Sequence, residues 1–277
     1  MPRFFYLVSI PLFYFDIKFF KLCFLKSKGT LSIKNFKMTI QYDGTNLHGW
    51  QVQKNERTVQ GEIEFALQKI FKNQKINLIG SGRTDSGVHA LEQIANINLD
   101  TDMDIKSLLN AINGNLNYND ILVTGISEVP ADFHSRFSAL KREYVYKISM
   151  KNSPIGRDYC WNVKDQIDFK ILDKCAKLVL GEHDFTQLSK KNDEIDNKIC
   201  KIYLSEWKSL NDKIYYKIIA NRFLHHMVRY LVGTMIEVSK GHSFTIEHFK
   251  LMINGNDRDY IFRAPSKGLF LKKVYYA

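Results

Sequence analysis

Apolar and polar residues alternate along the chain with a period that keeps switching between that of a strand and that of a helix. Phe36, Met38, Ile40 and Tyr42 alternate with Lys37, Thr39 and Gln41, the pattern of a half-buried strand, and Asp43-Gly44 signals a turn after it. Behind Thr58, a capping residue type, Val59, Ile63, Leu67, Ile70 and Phe71 form one helical stripe. A short apolar run, Ile76–Ile79, precedes an alternating one in which Ala95, Ile97 and Leu99 face away from Asn96 and Asn98. Leu108, Leu109 and Ile112 then predict a helix closing at Gly114, and Ile121–Ser127 a strand. A strand through Lys141–Tyr146 places Tyr144 and Tyr146 on one face. The second part repeats the scheme. A helix is predicted from about Phe169 to Leu180 with Gly181 ending it, and the polar stretch Lys190–Lys201 reads as a mobile loop. Strands Ile202–Lys208 and Ile214–Ala220 flank the hairpin signal Asn211-Asp212, and the most apolar helix runs from Phe223 to Lys240. The pattern alone predicts an α+β protein with two βα-rich halves.

A chain of 277 residues, 45% hydrophobic and 25% charged, has ample material for a globular core. Its formal charge of +11 suggests a polyanionic partner, but residues 1–37 carry seven basic side chains against one acidic and so hold +6 of it. The rest is mildly basic, so a nucleic-acid site there has to be a local patch. Cys23, Cys160, Cys175 and Cys200 form neither a C-x-x-C pair nor a zinc spacing, which fits a reducing cytoplasm and argues against a metal role.

Phe4–Phe15 is almost wholly apolar and aromatic, interrupted by Pro11 and followed by Asp16, Lys18 and Lys21. It is short and early-charged for a membrane span and lacks a small-residue cleavage site. Residues 1–35 are therefore read as an N-terminal extension, disordered or produced by a mis-set start.

Chemistry concentrates in Gly80-Ser81-Gly82-Arg83-Thr84-Asp85-Ser86-Gly87-Val88-His89, between two predicted strands. Glycines there admit positive φ and close approach of a ligand. Arg83 and Asp85 share a face of an extended backbone, and the guanidinium would keep the carboxylate ionised and seek phosphate. From residue types alone the stretch reads first as a glycine-rich turn carrying a surface ion pair, and second as a site.

The string G-R-T-D-S-G-V-H resembles the G-R-T-D-A-G-V-H signature of the TruA family of tRNA pseudouridine synthases, with Ser86 in place of the commoner Ala. Further motifs follow in the family's order: Tyr42-Asp43-Gly44-Thr45 with Gly49-Trp50-Gln51; Phe133-His134-Ser135-Arg136-Phe137-Ser138-Ala139; Arg142, Tyr144 and Tyr146 as R-x-Y-x-Y; Gly181 to Thr186; Asn221 to Arg229 as N-x-F-x-H-H-M-V-R; and Ala264 to Leu271, the last strand. The resemblance spans about residues 36–277. Departures are Leu188 for a Phe, and Cys200-Lys201 where the family has an Arg.

The resemblance implies two similar ferredoxin-like halves, 36–150 and 151–277, sharing a mostly antiparallel sheet with the active-site cleft between them. It implies a cytoplasmic homodimer that holds tRNA across both subunits, with no membrane partner, and isomerises uridine to pseudouridine in the anticodon arm. Asp85 would act on the ribose, as nucleophile or as base. Arg229, a charge on an apolar helix and so in need of an anion, would pair with it. Tyr144 would stack on the uracil and help remove the C5 proton, and Arg83 would fill the gap or grip phosphate while the base is flipped out. Phe133, His134, Ser135, Arg136 and Phe137 would contact RNA. Trp50 and Tyr146 read as core residues, and His225 and His226, about 100° apart if helical, as core or capping residues. The reaction is redox-neutral and needs no cofactor and no metal, in line with a sequence lacking P-loop, Rossmann and zinc signals. A glycosidase would need two carboxylates, and one acid is prominent here. The other class consistent with these motifs is a catalytically silent RNA-binding or RNA-chaperone protein, which would not require Asp85.

Overall fold

The computed structural model describes residues 33–191, 196–241, 244–255 and 262–277. The extension expected over the first residues, Cys23 and part of the expected loop before residue 201 lie outside the described residues, apart from Ile33–Asn35 and the residues flanking 192–195. Ile33–Ala277 forms one compact unit.

Its frame is a sheet in which β1 (Ile33–Tyr42), β3 (His89–Asp100), β4 (Ile121–Val129), β5 (Lys141–Ser149), β7 (Gly181–Asp184), β8 (Ile199–Leu210), β9 (Lys213–Ala220) and β10 (Leu269–Tyr275) stand in the order β4-β1-β3-β10-β5-β9-β8-β7. Two-residue strands β2 (Ile79–Gly80) and β6 (Trp161–Asn162) flank it, paired to β3 and β5. Neighbours are antiparallel except β3 with β10 and β5 with β6. The fold is thus α+β with a mostly antiparallel sheet, as expected. The C-terminal strand β10 lies between β3 and β5 and so stitches the early strands to the late ones.

Among the described residues five α-helices accompany this sheet: α1 (Val59–Ile70), α2 (Ile105–Asn115), α3 (Phe169–Leu178), α4 (Met227–Ser239) and α5 (Ile246–Ile253). Thr58 caps α1 through the Gly61 amide, as its position in the sequence predicts, and Asp104, Asp168 and Thr245 cap α2, α3 and α5 in the same manner. Ile63 and Leu67 of α1, Leu108 and Ile112 of α2, Leu172 and Cys175 of α3 and Leu231 and Met235 of α4 are buried in one core with Phe36, Met38, Ile97, Tyr146, Trp207 and Tyr216 of the sheet. Tyr146 is a core residue, its hydroxyl donating to the Pro265 carbonyl at 2.7 Å.

Four expectations from the pattern need correction. Gly114 lies inside α2, whose end is an extended Leu116 rather than a left-handed glycine. The helix over 169–180 stops at Leu178, because Gly181 (φ +97°) turns the chain into β7. His183 and Asp184 are therefore strand residues: His183 Nε2 lies 2.9 Å from the Leu180 carbonyl, and Asp184 accepts from Thr186. Strand β8 opens at Ile199, so Cys200 and Lys201 belong to the sheet rather than to a loop. The apolar helix begins at Met227, not Phe223, since His226 takes a left-handed backbone (φ 63°) just before it.

The first strand starts at Ile33, earlier than alternation suggests, because a buried polar residue breaks the pattern. Asn35 is 4% exposed, and its amide donates to the Pro130 and Phe133 carbonyls at 3.1 and 2.8 Å. It accepts from Asn96, which accepts in turn from the Ser135 amide. This network pins residues 130–135 to the sheet. Asn35→Ala is predicted to lower stability by about 1–3 kcal/mol, because it removes two amide donors and takes the close acceptor from the buried Asn96 amide. Urea unfolding checks this, and a loss within error of zero would remove the network from the account of the fold.

Candidate active site

The loop from Ser81 to Val88, between β2 and β3, is held by backbone and buried polar groups rather than by its own charges. Trp50 N donates to the Thr84 carbonyl at 3.1 Å and Gly87 N to the Leu47 carbonyl at 3.2 Å. Tyr42 Oη and Thr84 Oγ1 lie 2.8 Å apart. Gln93 accepts from Ser81 Oγ at 2.6 Å and donates to the Gly82 carbonyl at 2.9 Å. Trp50, 2% exposed, is the core anchor it was read as, and a Cβ at Gly80 would sit 2.5 Å from its ring. At Gly49 (φ +84°) a Cβ would lie 2.5 Å from the Thr84 carbonyl oxygen, so glycine lets this loop close on the Gly49 turn. Gly82 differs: a Cβ there meets no protein atom within 4 Å.

These supports turn Asp85 towards the start of α4. Arg229 Nη1 donates to Asp85 Oδ2 at 2.8 Å, and its Nε donates to the Ala264 carbonyl at 2.9 Å. His226 Nδ1 lies 2.7 Å from the same Oδ2, and His225 Nε2 lies 3.5 Å from Oδ1. The two imidazoles stack with centroids 4.0 Å apart. Burial by itself would raise the Asp85 pKa, yet His225, His226 and Arg229 around it outweigh burial and hold the carboxyl well below the usual carboxylate range. The pair between Asp85 and Arg229 is the one anticipated from a charge on an apolar helix. The convergence of both histidines was not anticipated, since it depends on α4 starting after them. A helical reading splays the two rings, whereas the left-handed residue at 226 brings both to one carboxylate. Asp85, His225 and His226 offer three possible ligand atoms within 4.8 Å of one another. Arg229 already stands on Oδ2, and its charge opposes a cation there.

Tyr144, on β5, is buried, with its ring edge-on to Phe223 at 5.1 Å. Burial first, and the charge of Asp85 second, push its hydroxyl pKa far up, so it stands in the field of the same carboxylate as a neutral phenol. Arg83 does not pair with Asp85. It is exposed, and among the described residues its guanidinium makes no ion pair. The surface-ion-pair reading of the loop therefore fails.

The segment 133–137 divides by burial. Ser135 is fully buried, its hydroxyl donating to the Ile79 carbonyl, and Phe133 packs on Tyr276 with centroids 5.1 Å apart. His134 Nδ1 accepts from the amides of Arg136 and Phe137 and closes a turn. Arg136 and Phe137 point outward, Phe137 76% exposed with His134 at 4.4 Å and the Arg136 guanidinium at 5.5 Å from its ring. Arg142 binds this segment to the loop: it donates to the carbonyls of Ser81 (3.0 Å), Arg136 (2.7 Å), Ala139 (3.1 Å) and Asn221 (2.8 Å).

A family model described as tRNA pseudouridine synthase matches residues 38–138 and 175–277. The chain belongs to that family. It is 39% identical over 251 residues to a tRNA pseudouridine synthase A of Brachyspira hyodysenteriae, covering 88% of this chain and 99% of that protein. It is 38% identical over 245 residues to one of Chlorobium limicola (88% and 100%), and 35% identical over 246 residues to one of a Geobacillus species (88% and 98%). Within the pseudouridine synthase match lie Asp85 and Arg229, while Arg142 and Tyr144 fall between its two segments.

A carboxylate with a depressed folded-state pKa stabilises this synthase fold fully above the ordinary Asp value of about 3.9, and that contribution is lost as pH falls through the depressed value. The stability gap between wild type and Asp85→Asn is therefore predicted to stay constant above about pH 5 and to shrink only in stronger acid. Thermal unfolding of the two proteins across pH tests this. A gap already closed at pH 5 would contradict the clamp.

Proposed function

We propose that this protein isomerises uridine to pseudouridine in tRNA, with Asp85 as the group that acts on the ribose. The observation that carries the reading is the Asp85 carboxylate itself: half-buried, kept ionised by His225, His226 and Arg229, and set in a glycine-bearing loop beside Tyr144. In the reaction the C1′–N1 bond breaks, the uracil turns, C5 joins C1′, and the proton lost from C5 is balanced by the one gained at N1. One ionised carboxylate at the anomeric carbon suffices for this as nucleophile or base, whereas hydrolysis would call for a second. Arg229 orients Asp85, and the neutral Tyr144 offers a ring face for the flipped uracil and a hydroxyl that stays protonated and can donate a hydrogen bond. Arg83, exposed at the loop, suits a phosphate contact, and Arg136 with Phe137 suits a base or backbone contact at the rim. Phe133, His134 and Ser135 support that rim from beneath.

The finer reading is that of the family resemblance: a cytoplasmic homodimer, two halves at 36–150 and 151–277, and a substrate uridine in the anticodon arm. Free Cys160, Cys175 and Cys200 agree with a reducing compartment, and no helix among the described residues is long and apolar enough to cross a membrane.

Asp85→Asn is predicted to fold, to bind tRNA through its phosphate contacts, and to release no C5 hydrogen from tRNA labelled at uracil C5. Near-wild-type label release would sink the mechanism. A wild type that itself binds tRNA and releases no label would instead favour the reading of a silent RNA-binding protein.

The two roles of Tyr144 separate by substitution. Tyr144→Phe keeps the ring and Tyr144→Ala removes it, so tRNA affinity is predicted to fall further in Ala, by roughly the 1–3 kcal/mol that a stacked base contributes. Equal affinities in a filter-binding titration would remove the stacking role.

A further inference from the structure

We infer that His226 is a positioning residue that, together with Arg229, occupies Oδ2 of Asp85 and leaves Oδ1 as the oxygen that meets the substrate; this rests on the function proposed above. Two donors approach Oδ2, His226 Nδ1 at 2.7 Å and Arg229 Nη1 at 2.8 Å, which satisfies the two lone pairs of a carboxylate oxygen. Oδ1 has His225 Nε2 at 3.5 Å, beyond the range of a good hydrogen bond. An ionised carboxylate only accepts, so the short contact assigns the hydrogen to Nδ1 of His226.

The backbone points the same way. His226 stands at the N-cap position of α4, where residues usually spend their side chain on helix amides, yet it makes no such bond. Instead it takes φ 63°, a left-handed conformation that costs a β-carbon residue energy and that clusters at functional sites. That turn swings the imidazole out of the capping geometry and onto Asp85. Stacked His225 at 4.0 Å and Tyr230, edge-on at 5.9 Å, bear on the ring from different residues and fix its plane. Arg229 already neutralises Asp85, so the second donor adds direction rather than charge balance. It stops the carboxylate rotating about its own axis and presenting either oxygen.

The test compares His226→Gly with His226→Asn. Gly accepts the left-handed backbone and removes the donor. Asn also tolerates that backbone and places an amide N–H where Nδ1 stands. His226→Gly is expected to lower kcat for pseudouridine formation about ten- to a hundredfold, the worth of one hydrogen bond to a charged group, with KM for tRNA changed less than about threefold. His226→Asn is expected to recover most of the loss. A Gly variant with wild-type kcat, or an Asn variant as slow as Gly, overturns the role. Imidazole 15N NMR of the wild-type protein gives a readout that needs no variant to fold: Nδ1 of His226 carries hydrogen if the inference holds, and a bare Nδ1 overturns it. A wild type that forms no pseudouridine sinks the functional reading instead, whereas an active wild type with an unaffected Gly variant sinks only the role of His226.

Discussion

An ionised carboxylate removed from water has to be met by donors, and in this protein they come from the other end of the chain. Asp85 is on a loop in the first third, while His225, His226 and Arg229 lead into and begin a helix more than a hundred residues later. Removing one partner of such a largely buried pair is destabilising, because the remaining charge is left poorly solvated. Loop and helix are therefore correct together or not at all. Arg229 extends the dependence to the C-terminal segment through the Ala264 carbonyl, and Ala264 N returns a bond to the Arg229 carbonyl. Gly233, one turn on, lets that segment press against α4, where a Cβ would lie 2.1 Å from the Phe262 carbonyl oxygen.

A second, half-buried cation organises the side of the site that faces RNA in the proposed reaction. Arg142 spends its guanidinium on four backbone carbonyls from the 81–88 loop, the 133–139 segment and the chain leading to α4. A planar fork with five donors suits this task, and a lysine could not span these acceptors. Its neighbours in β5 divide the work. Tyr144 faces the site, Tyr146 fills the core, and Glu143 on the opposite face pairs with Lys217 and Tyr275. The strand thus carries one residue for the proposed chemistry, one for packing and one that ties it to the strands on either side.

The site's chemistry follows from how unevenly burial treats its groups. Burial would protonate a lone carboxyl, yet the histidines and Arg229 around it keep Asp85 ionised. Burial near that same charge keeps Tyr144 neutral. The cations left uncommitted stand outside, with Arg83 at the loop and Arg136 against the exposed ring of Phe137. A charged, oriented oxygen within and flexible cations at the edge suit a reaction that must first draw a base out of a polyanion.

Local pattern was enough to determine the α+β class, the α1 cap at Thr58, the hairpin at Asn211-Asp212, the glycine-rich loop and the need of Arg229 for an anion, since each depends on residues close in sequence or on a charge with no local partner. Family resemblance, also legible in the sequence, supplied Tyr144, and it supplied the RNA-facing side only as a run of residue types. Tertiary structure decided which of Phe133–Phe137 face out, because Asn35 and Asn96, distant in sequence and polar in character, bury one side of that run. It also decided where α4 begins. The sequence around His225 and His226 is apolar enough to continue the helix, but a left-handed residue at 226 is held by a carboxylate 141 positions earlier. Periodicity measures how a segment meets a core, and it carries no information about a bond whose other partner folds in from elsewhere.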